Sequence, residues 1–219
     1  MRKTGQAATD LAADKARALR LCPVSRETET RLDAFVSTLL RWQSSHNLIA
    51  PSTISEIWTR HVADSLQLVP LAPEAYAWID LGSGGGFPGI PIACAIAERP
   101  GAKVYLIESN SKKAAFLREA VRATCAPATV HCLRAEKFGD SCAEPVHAVT
   151  ARALASLKIL CDLAFPFVSR GAVAIFPKGQ DVDAELTDAA KYWRLQASRV
   201  PSKISPDGSI VIIRGLERL

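Results

Sequence analysis

Trp78-Ile79-Asp80-Leu81-Gly82-Ser83-Gly84-Gly85-Gly86-Phe87-Pro88-Gly89-Ile90-Pro91 carries the strongest fold signal in the chain. Residues 76–81 read as a short apolar strand and residues 89–97 as a helix, so the glycines fall on the turn between them. Glycines at 82, 84, 85 and 86 let the backbone turn sharply and approach a ligand with no Cβ in the way. At the carboxyl edge of a parallel sheet, such a turn opens a crevice of nucleotide size. A dinucleotide fingerprint G-x-G-x-x-G can be drawn through Gly84, Gly86 and Gly89. Three residues weigh against it. Asp80 sets a carboxylate two residues before the first glycine, where it repels a pyrophosphate. Pro88 and Pro91 remove two amide donors at the helix start, where a phosphate needs them. A ligand with a cationic head and no phosphate suits the loop better. S-adenosylmethionine, with an ammonium and a sulfonium, has that character.

Outward from the loop, strands and helices alternate. Strands are expected at 76–81, 103–108, 129–133, 147–151, 172–176 and 209–214, with helices at 89–97, 111–124, 156–168 and 182–193. This order argues for a doubly wound α/β fold with helices on both faces of a mostly parallel sheet. Residues 195–200, the Asp207-Gly208 turn and the last strand read as a hairpin that brings in an antiparallel strand. The α/β domain spans 73–219, behind an N-terminal helical extension at 1–72. In that extension, residues 1–22 are Ala-rich and charged, a candidate for a frayed helix or for disorder. Ser25 reads as an N-cap ahead of the stripe Leu32, Phe35, Val36, Leu39 and Leu40. Thr53-x-x-Glu56 has the capping-box pattern, which predicts a helix starting at Thr53. His61, Asp64 and Ser65 lie on or beside its apolar face. Either they bond one another or a nearby loop, or the helix borders a ligand and lends it polar groups.

Composition narrows the class. Of 219 residues, 48% are hydrophobic and 22% charged, the balance of a soluble globular chain. No apolar run approaches the roughly 20 residues a membrane span needs, and the first residues carry no apolar signal core, so no membrane association and a cytoplasmic location are expected. Six cysteines form no C-x-x-C pair and no cluster at zinc spacing, so reduced thiols and no metal site are expected. The net charge of +5 tilts weakly toward a polyanionic partner.

Other candidate site residues follow the strand ends. Glu108 closes the second strand, where a carboxylate can accept both ribose hydroxyls. Arg134-Ala135-Glu136 follows the third, where an adenine edge is read, and Thr150-Ala151-Arg152-Ala153 follows the fourth at the mouth of the same crevice. Arg152 either orients a substrate or pairs with Asp64 or Glu136; Arg134 and Lys178 either face a polyanion or are solvated. Lys112 and Lys113 open a helix, where its dipole disfavours cations, so they are either solvated or phosphate-facing. No Ser/His/Asp or Cys/His constellation stands out.

The runs IDLGSGGGFPGIPIA, LIESNSKKAAFLREA, RAE, TARALASL and FPKG, with Asn47-Leu48 and 60–66 upstream, resemble the small-subunit ribosomal RNA guanine-N7 methyltransferases, the glucose-inhibited division protein B family. The resemblance covers about residues 25 to 215; Gly85 departs slightly, standing where relatives often carry alanine or proline. It implies a Rossmann-like class I S-adenosylmethionine-dependent methyltransferase with a seven-stranded sheet. It further implies that Gly82 and Phe87 touch the cofactor, that Asp80, Gly84 and Gly86 shape the loop, and that Glu108 holds the ribose. Ala135 and Glu136 would flank the adenine, Arg152 would close the site near the methyl donor, and Arg134 and Lys178 would face the RNA. The implied partner is small-subunit ribosomal RNA, free or within a 30S-type particle, acted on by a monomer. Rival readings are a nicotinamide-dependent oxidoreductase, an RNA-binding module without catalysis, and a methyltransferase with another acceptor.

Overall fold

The computed structural model describes residues 2–142 and 144–219. Its strands are β1 (Ala77–Leu81), β2 (Lys103–Ile107), β3 (Ala128–His131), β4 (Ala148–Thr150), β5 (Val173–Lys178), β6 (Trp193–Pro201) and β7 (Ser209–Arg218). They form one seven-stranded sheet in the order β3-β2-β1-β4-β5-β7-β6. The first five are parallel, and β7 runs antiparallel to both β5 and β6. Asp80 of β1 lies level with Leu106 of β2 and Thr150 of β4. The segments leaving β1, β2 and β4 therefore emerge side by side at one sheet edge, the edge where parallel α/β sheets bind ligands.

The helices are α1 (Arg2–Leu21), α2 (Arg26–Gln43), α3 (Asp64–Leu66), α4 (Gly89–Ile96), α5 (Ser111–Thr124), α6 (Ala135–Ser141), α7 (Leu157–Val168) and α8 (Val182–Ala189). Period-two alternation sends successive strand residues to opposite faces. Trp78, Val104 and Leu106 join α2, α4 and α5 in one core, while Ile79, Leu81, Tyr105 and Ile107 join α6, α7 and α8 in the other. Asp80 falls on the α4 face. No helix among the described residues is long and apolar enough to cross a membrane.

The N-terminal helices share the first core. Ser25 Oγ caps α2 by accepting from Thr28 N at 3.1 Å, as its position predicts. Leu32, Phe35, Val36 and Leu39 are buried, each burial stabilising by about 1.5–3 kcal/mol, and the Phe35 ring meets Phe87 edge-on at 5.1 Å. Of the two readings of residues 1–22, helix or disorder, the structure has the helix, α1, over Arg2–Leu21; Met1 lies outside the described residues. The anchor is Asp14, only 5% exposed. Its carboxylate accepts from Trp58 N at 2.9 Å, Thr59 N at 3.2 Å and the Thr59 hydroxyl, so it caps the segment that α1 lies across. Lys15 adds pairs to Glu29 and Asp33 on α2.

The helix expected from Thr53 differs too. Pro51–Glu56 is a 3-10 turn, Trp58–Ala63 a π turn, and only α3 is α-helical. The capping box does not form, because the Thr53 hydroxyl donates to Ala50 O and meets His61 Nε2 instead. The helix expected to reach residue 193 stops at Ala189, since Trp193 already belongs to β6. The short helix α6 was not foreseen; its signals are Glu136 in the first turn and the buried Phe138.

Candidate functional site

The glycine loop satisfies its own amides. Ser83 N donates to Ile107 O at 2.9 Å, Gly84 N to Glu108 Oε2 at 2.9 Å, Gly86 N to Ser83 O at 2.7 Å and Gly89 N to Asp80 Oδ2 at 3.1 Å. Together with the prolines at 88 and 91, this leaves few free donors where a pyrophosphate needs several. Gly82, Gly84 and Gly86 have positive φ (69°, 52° and 87°), which the turn requires. At Gly82, a Cβ would sit 2.6 Å from Leu154 Cδ1, so the bare backbone here is itself a wall of the cavity.

That cavity measures about 440 Å3 and is lined by Gly82, Gly84 and Glu108 on one side and Leu133, Ala135, Leu154 and Ile159 on the other. Glu108 is 7% exposed and doubly pinned, with Oε2 on Gly84 N and Oε1 accepting from Asn110 N at 2.7 Å. Each carboxylate oxygen keeps a second lone pair for a hydroxyl. Glu136, Arg134 and Lys113 complete the polar rim, and the aliphatic side chains offer a face for a flat ring. A nucleoside with a cationic tail and no phosphate fits these walls.

The expected cofactor residues thus divide. Gly82, Gly84, Glu108, Ala135 and Glu136 line the crevice. Asp80, Gly86 and Phe87 lie beneath it. Asp80 is fully buried, and its contact is the start of α4 rather than the cavity, so it shapes the loop from below. Burial pushes its carboxyl up to about 7, and Oδ1 has no hydrogen-bond partner among the described residues. Gly86 lies close under Phe35 and Ile90. Phe87, 4% exposed, is a platform: the His61 ring stacks on it at 5.0 Å and the Arg152 guanidinium lies 5.1 Å from its centre.

Arg152 is the best-held side chain at this edge. Its Nη1 donates to Asp64 Oδ2 and to Arg60 O, each at 3.2 Å, and its Nη2 to His61 Nδ1 at 2.7 Å. An arginine cannot accept, so His61 Nδ1 must, and the ring proton sits on Nε2, 2.8 Å from the Thr53 hydroxyl. Burial, reinforced by the charges of Arg152 and Arg60, pulls the His61 pKa down to about 3, so the ring is neutral at physiological pH. Burial raises Asp64, against the pull of Arg152. Ser65 Oγ donates to His61 O at 2.6 Å, while Asp64 accepts from Gln67 Nε2 and Arg152 and lines a cavity beside that arginine.

Arg134 is exposed at the crevice rim, whereas Lys178 is not a solvated surface charge. Its side chain is 9% exposed, with Nζ 2.6 Å from Glu185 and 3.1 Å from Ala155 O. Lys113 lines the crevice and Lys112 is exposed; Asn110 Oδ1 caps their helix by accepting from both backbone N–H groups. Sequence reasoning missed this cap, and missed Glu185, Leu154 and the β6–β7 turn at the neighbouring cavity.

Comparison with known proteins gives the family. A family model described as rRNA small subunit methyltransferase G matches residues 28–211. The chain belongs to that family. It is 56% identical over 220 residues to a ribosomal RNA small subunit methyltransferase G of Bradyrhizobium sp. strain ORS 278, covering 100% of this chain and 99% of the relative. It is 54% identical over 207 residues to the protein of that name from Nitrobacter hamburgensis, covering 94% of this chain and 80% of the relative. Among solved structures, an O-methyltransferase from Bacillus cereus in complex with SAH superposes with a TM-score of 0.59 at 15% identity, covering 94% of this chain and 99% of that one. The O-methyltransferase TomG from Streptomyces achromogenes, in complex with SAM, does so at 0.59 and 12%, covering 92% and 95%. These likenesses support the class I methyltransferase fold.

Proposed function

We propose that the chain transfers a methyl group from S-adenosylmethionine to N7 of a guanine in small-subunit ribosomal RNA. The observation that carries this is the self-satisfied glycine loop beside Glu108, opening toward a rigidly held arginine across Ala153–Ala155. Gly82 and Gly84 bare the backbone, Glu108 accepts from the ribose hydroxyls, and Ala135 and Glu136 flank the adenine. When bound, S-adenosylmethionine supplies an electrophilic methyl group on a sulfonium, so attack by the N7 lone pair carries the positive charge onto the purine and no proton has to leave.

The protein's work is therefore alignment rather than proton transfer. That fits a site whose one histidine is neutral, with its accepting nitrogen occupied by Arg152. Among the described residues, the Arg152 Nε–H and one Nη2–H have no partner, enough to hold a phosphate or a base oxygen. Phe87 and His61 set its plane, while Arg134 and Lys113 bring positive charge to the rim. The chain acts as a monomer in the cytoplasm, on RNA presented by the small subunit or its precursor.

Incubation of the protein with tritiated S-adenosylmethionine and small subunits lacking the modification tests this reading. Label recovered as 7-methylguanosine from the RNA, and lost with Arg152→Ala, is the expected result. Label in another nucleoside or in protein refutes it.

A further inference from the structure

A second cavity, about 530 Å3, adjoins the cofactor crevice and shares Ala153, Leu154 and Ala155 with it. Asp64 and Arg152 border it on one side, and the end of β5, Glu185 of α8 and the β6–β7 turn on the other. It holds an ion pair that alignment of the methyl donor does not use. Lys178 Nζ lies 2.6 Å from Glu185 Oε2, which also accepts from Leu157 N at 2.6 Å, while Ala155 O takes a second Lys178 proton at 3.1 Å. That leaves Glu185 Oε1 and the third Lys178 proton without a hydrogen-bond partner among the described residues.

We propose that this cavity receives the target guanine by its Watson–Crick edge, with Glu185 accepting from N1–H and the N2 amino group and Lys178 donating to O6. The proposal rests on the reading of guanine N7 as acceptor and says how that base is chosen. Guanine's Watson–Crick edge runs donor, donor, acceptor, and a carboxylate beside an ammonium is its complement. Adenine sets a bare N1 against the carboxylate and an amino group against the ammonium, both repulsive. The commonest protein grip on guanine, an arginine forked onto O6 and N7, is unusable here because it occupies the nucleophile's lone pair. A grip on the opposite edge leaves N7 free. It also favours the reaction: as the purine gains positive charge, its N1–H and N2–H become stronger donors, so their bonds to Glu185 tighten most in the transition state. An extruded base read by its Watson–Crick edge is a common solution for enzymes that modify nucleobases.

Glu185→Gln in the full-length protein, which keeps an oxygen for Leu157 N, tests the assignment. Small subunits are reconstituted with guanosine or inosine, which lacks the N2 amino group, at the position that the wild type methylates. The wild type should favour guanosine in kcat/KM by about 10-fold, within the range of one well-made base contact, and E185Q should reduce that preference several-fold while binding S-adenosylmethionine normally. The ratio between enzymes on the same two RNAs cancels any effect of inosine on RNA folding, and a merely structural Glu185 leaves it unchanged. Lys178→Met with 6-thioguanosine repeats the test at O6 should E185Q fail to fold. A wild type indifferent to the N2 amino group, or ratios unchanged in the variants, overturns the base pocket alone. A wild type that methylates no guanine N7 in native subunits overturns the underlying reading, and the pocket with it.

Discussion

Replacing Gly82 with alanine separates the glycine loop's duty to the fold from its duty to the ligand. The residue has a φ of 69°, a left-handed conformation that costs an L-residue about 1–2 kcal/mol. Alanine's smaller unfolded-state entropy returns roughly 0.4–1 kcal/mol. The new Cβ would lie 2.6 Å from Leu154 Cδ1, but Leu154 is 40% exposed and can rotate away. The net cost should be about 1 kcal/mol, a fall in Tm of about 2–4 °C for a chain of this size. Ligand binding should suffer more, because the same methyl projects into the crevice; overpacking of about 1–3 kcal/mol raises the Kd for S-adenosylmethionine on the order of 10- to 100-fold. Gly89→Ala should reverse the order of effects. There a Cβ overlaps Leu106 Cδ2 and lies 2.6 Å from Asp80 Oδ2, both residues fully buried, so stability should fall by about 3 kcal/mol. Urea unfolding and equilibrium dialysis of labelled S-adenosylmethionine measure both quantities. A G82A protein that binds at wild-type affinity, or that is less stable than G89A, refutes the placement of Gly82 at the ligand wall.

Three further outcomes are expected. Asp14→Ala strips the acceptor from Trp58 N and Thr59 N; stability should fall by about 2–3 kcal/mol, and limited proteolysis should then cut at residues 22–25, so unchanged cleavage would place the anchor elsewhere. Asp80 is held near 7 against an ordinary 3.8. Between those values the folded chain keeps a proton that the unfolded chain has released, so this group's contribution to stability falls as pH rises through that window and stays low above it. Asp80→Asn should flatten that part of the stability–pH curve, and equal slopes in both proteins would deny the buried carboxyl. Arg152→Lys keeps the charge but cannot fork to Asp64, His61 and Arg60 O at once; kcat should fall about 100-fold, and a wild-type kcat would remove Arg152 from the aligned site.

Much of the fold is legible in the chain because its signals are local. The glycine run between an apolar strand and a helix marks the ligand edge. Ser25 and the stripe from Leu32 to Leu39 mark α2 with its cap. What stays hidden is long-range. Nothing local to Asp14 announces that it caps a helix segment 44 residues on. The capping-box pattern at Thr53 fails because the hydroxyl finds His61 and Ala50 O, a tertiary choice that overrides the pattern. In the site, Gly82, Glu108, Ala135 and Glu136 follow from strand ends, since a parallel sheet brings those ends together. The clasp of Arg152 by His61, 91 residues away, and the inward turn of Lys178 onto Glu185 follow only from packing between elements.

Methyl transfer to small-subunit RNA is read out in cells by nucleoside mass spectrometry of that RNA with the encoding gene intact, deleted, and restored as wild type or Arg152→Ala. Deletion should remove a 7-methylguanosine from that RNA, the wild-type gene should restore it, and Arg152→Ala should not. A 7-methylguanosine content unchanged by deletion, or loss of a different modified nucleoside, would contradict the proposed transfer.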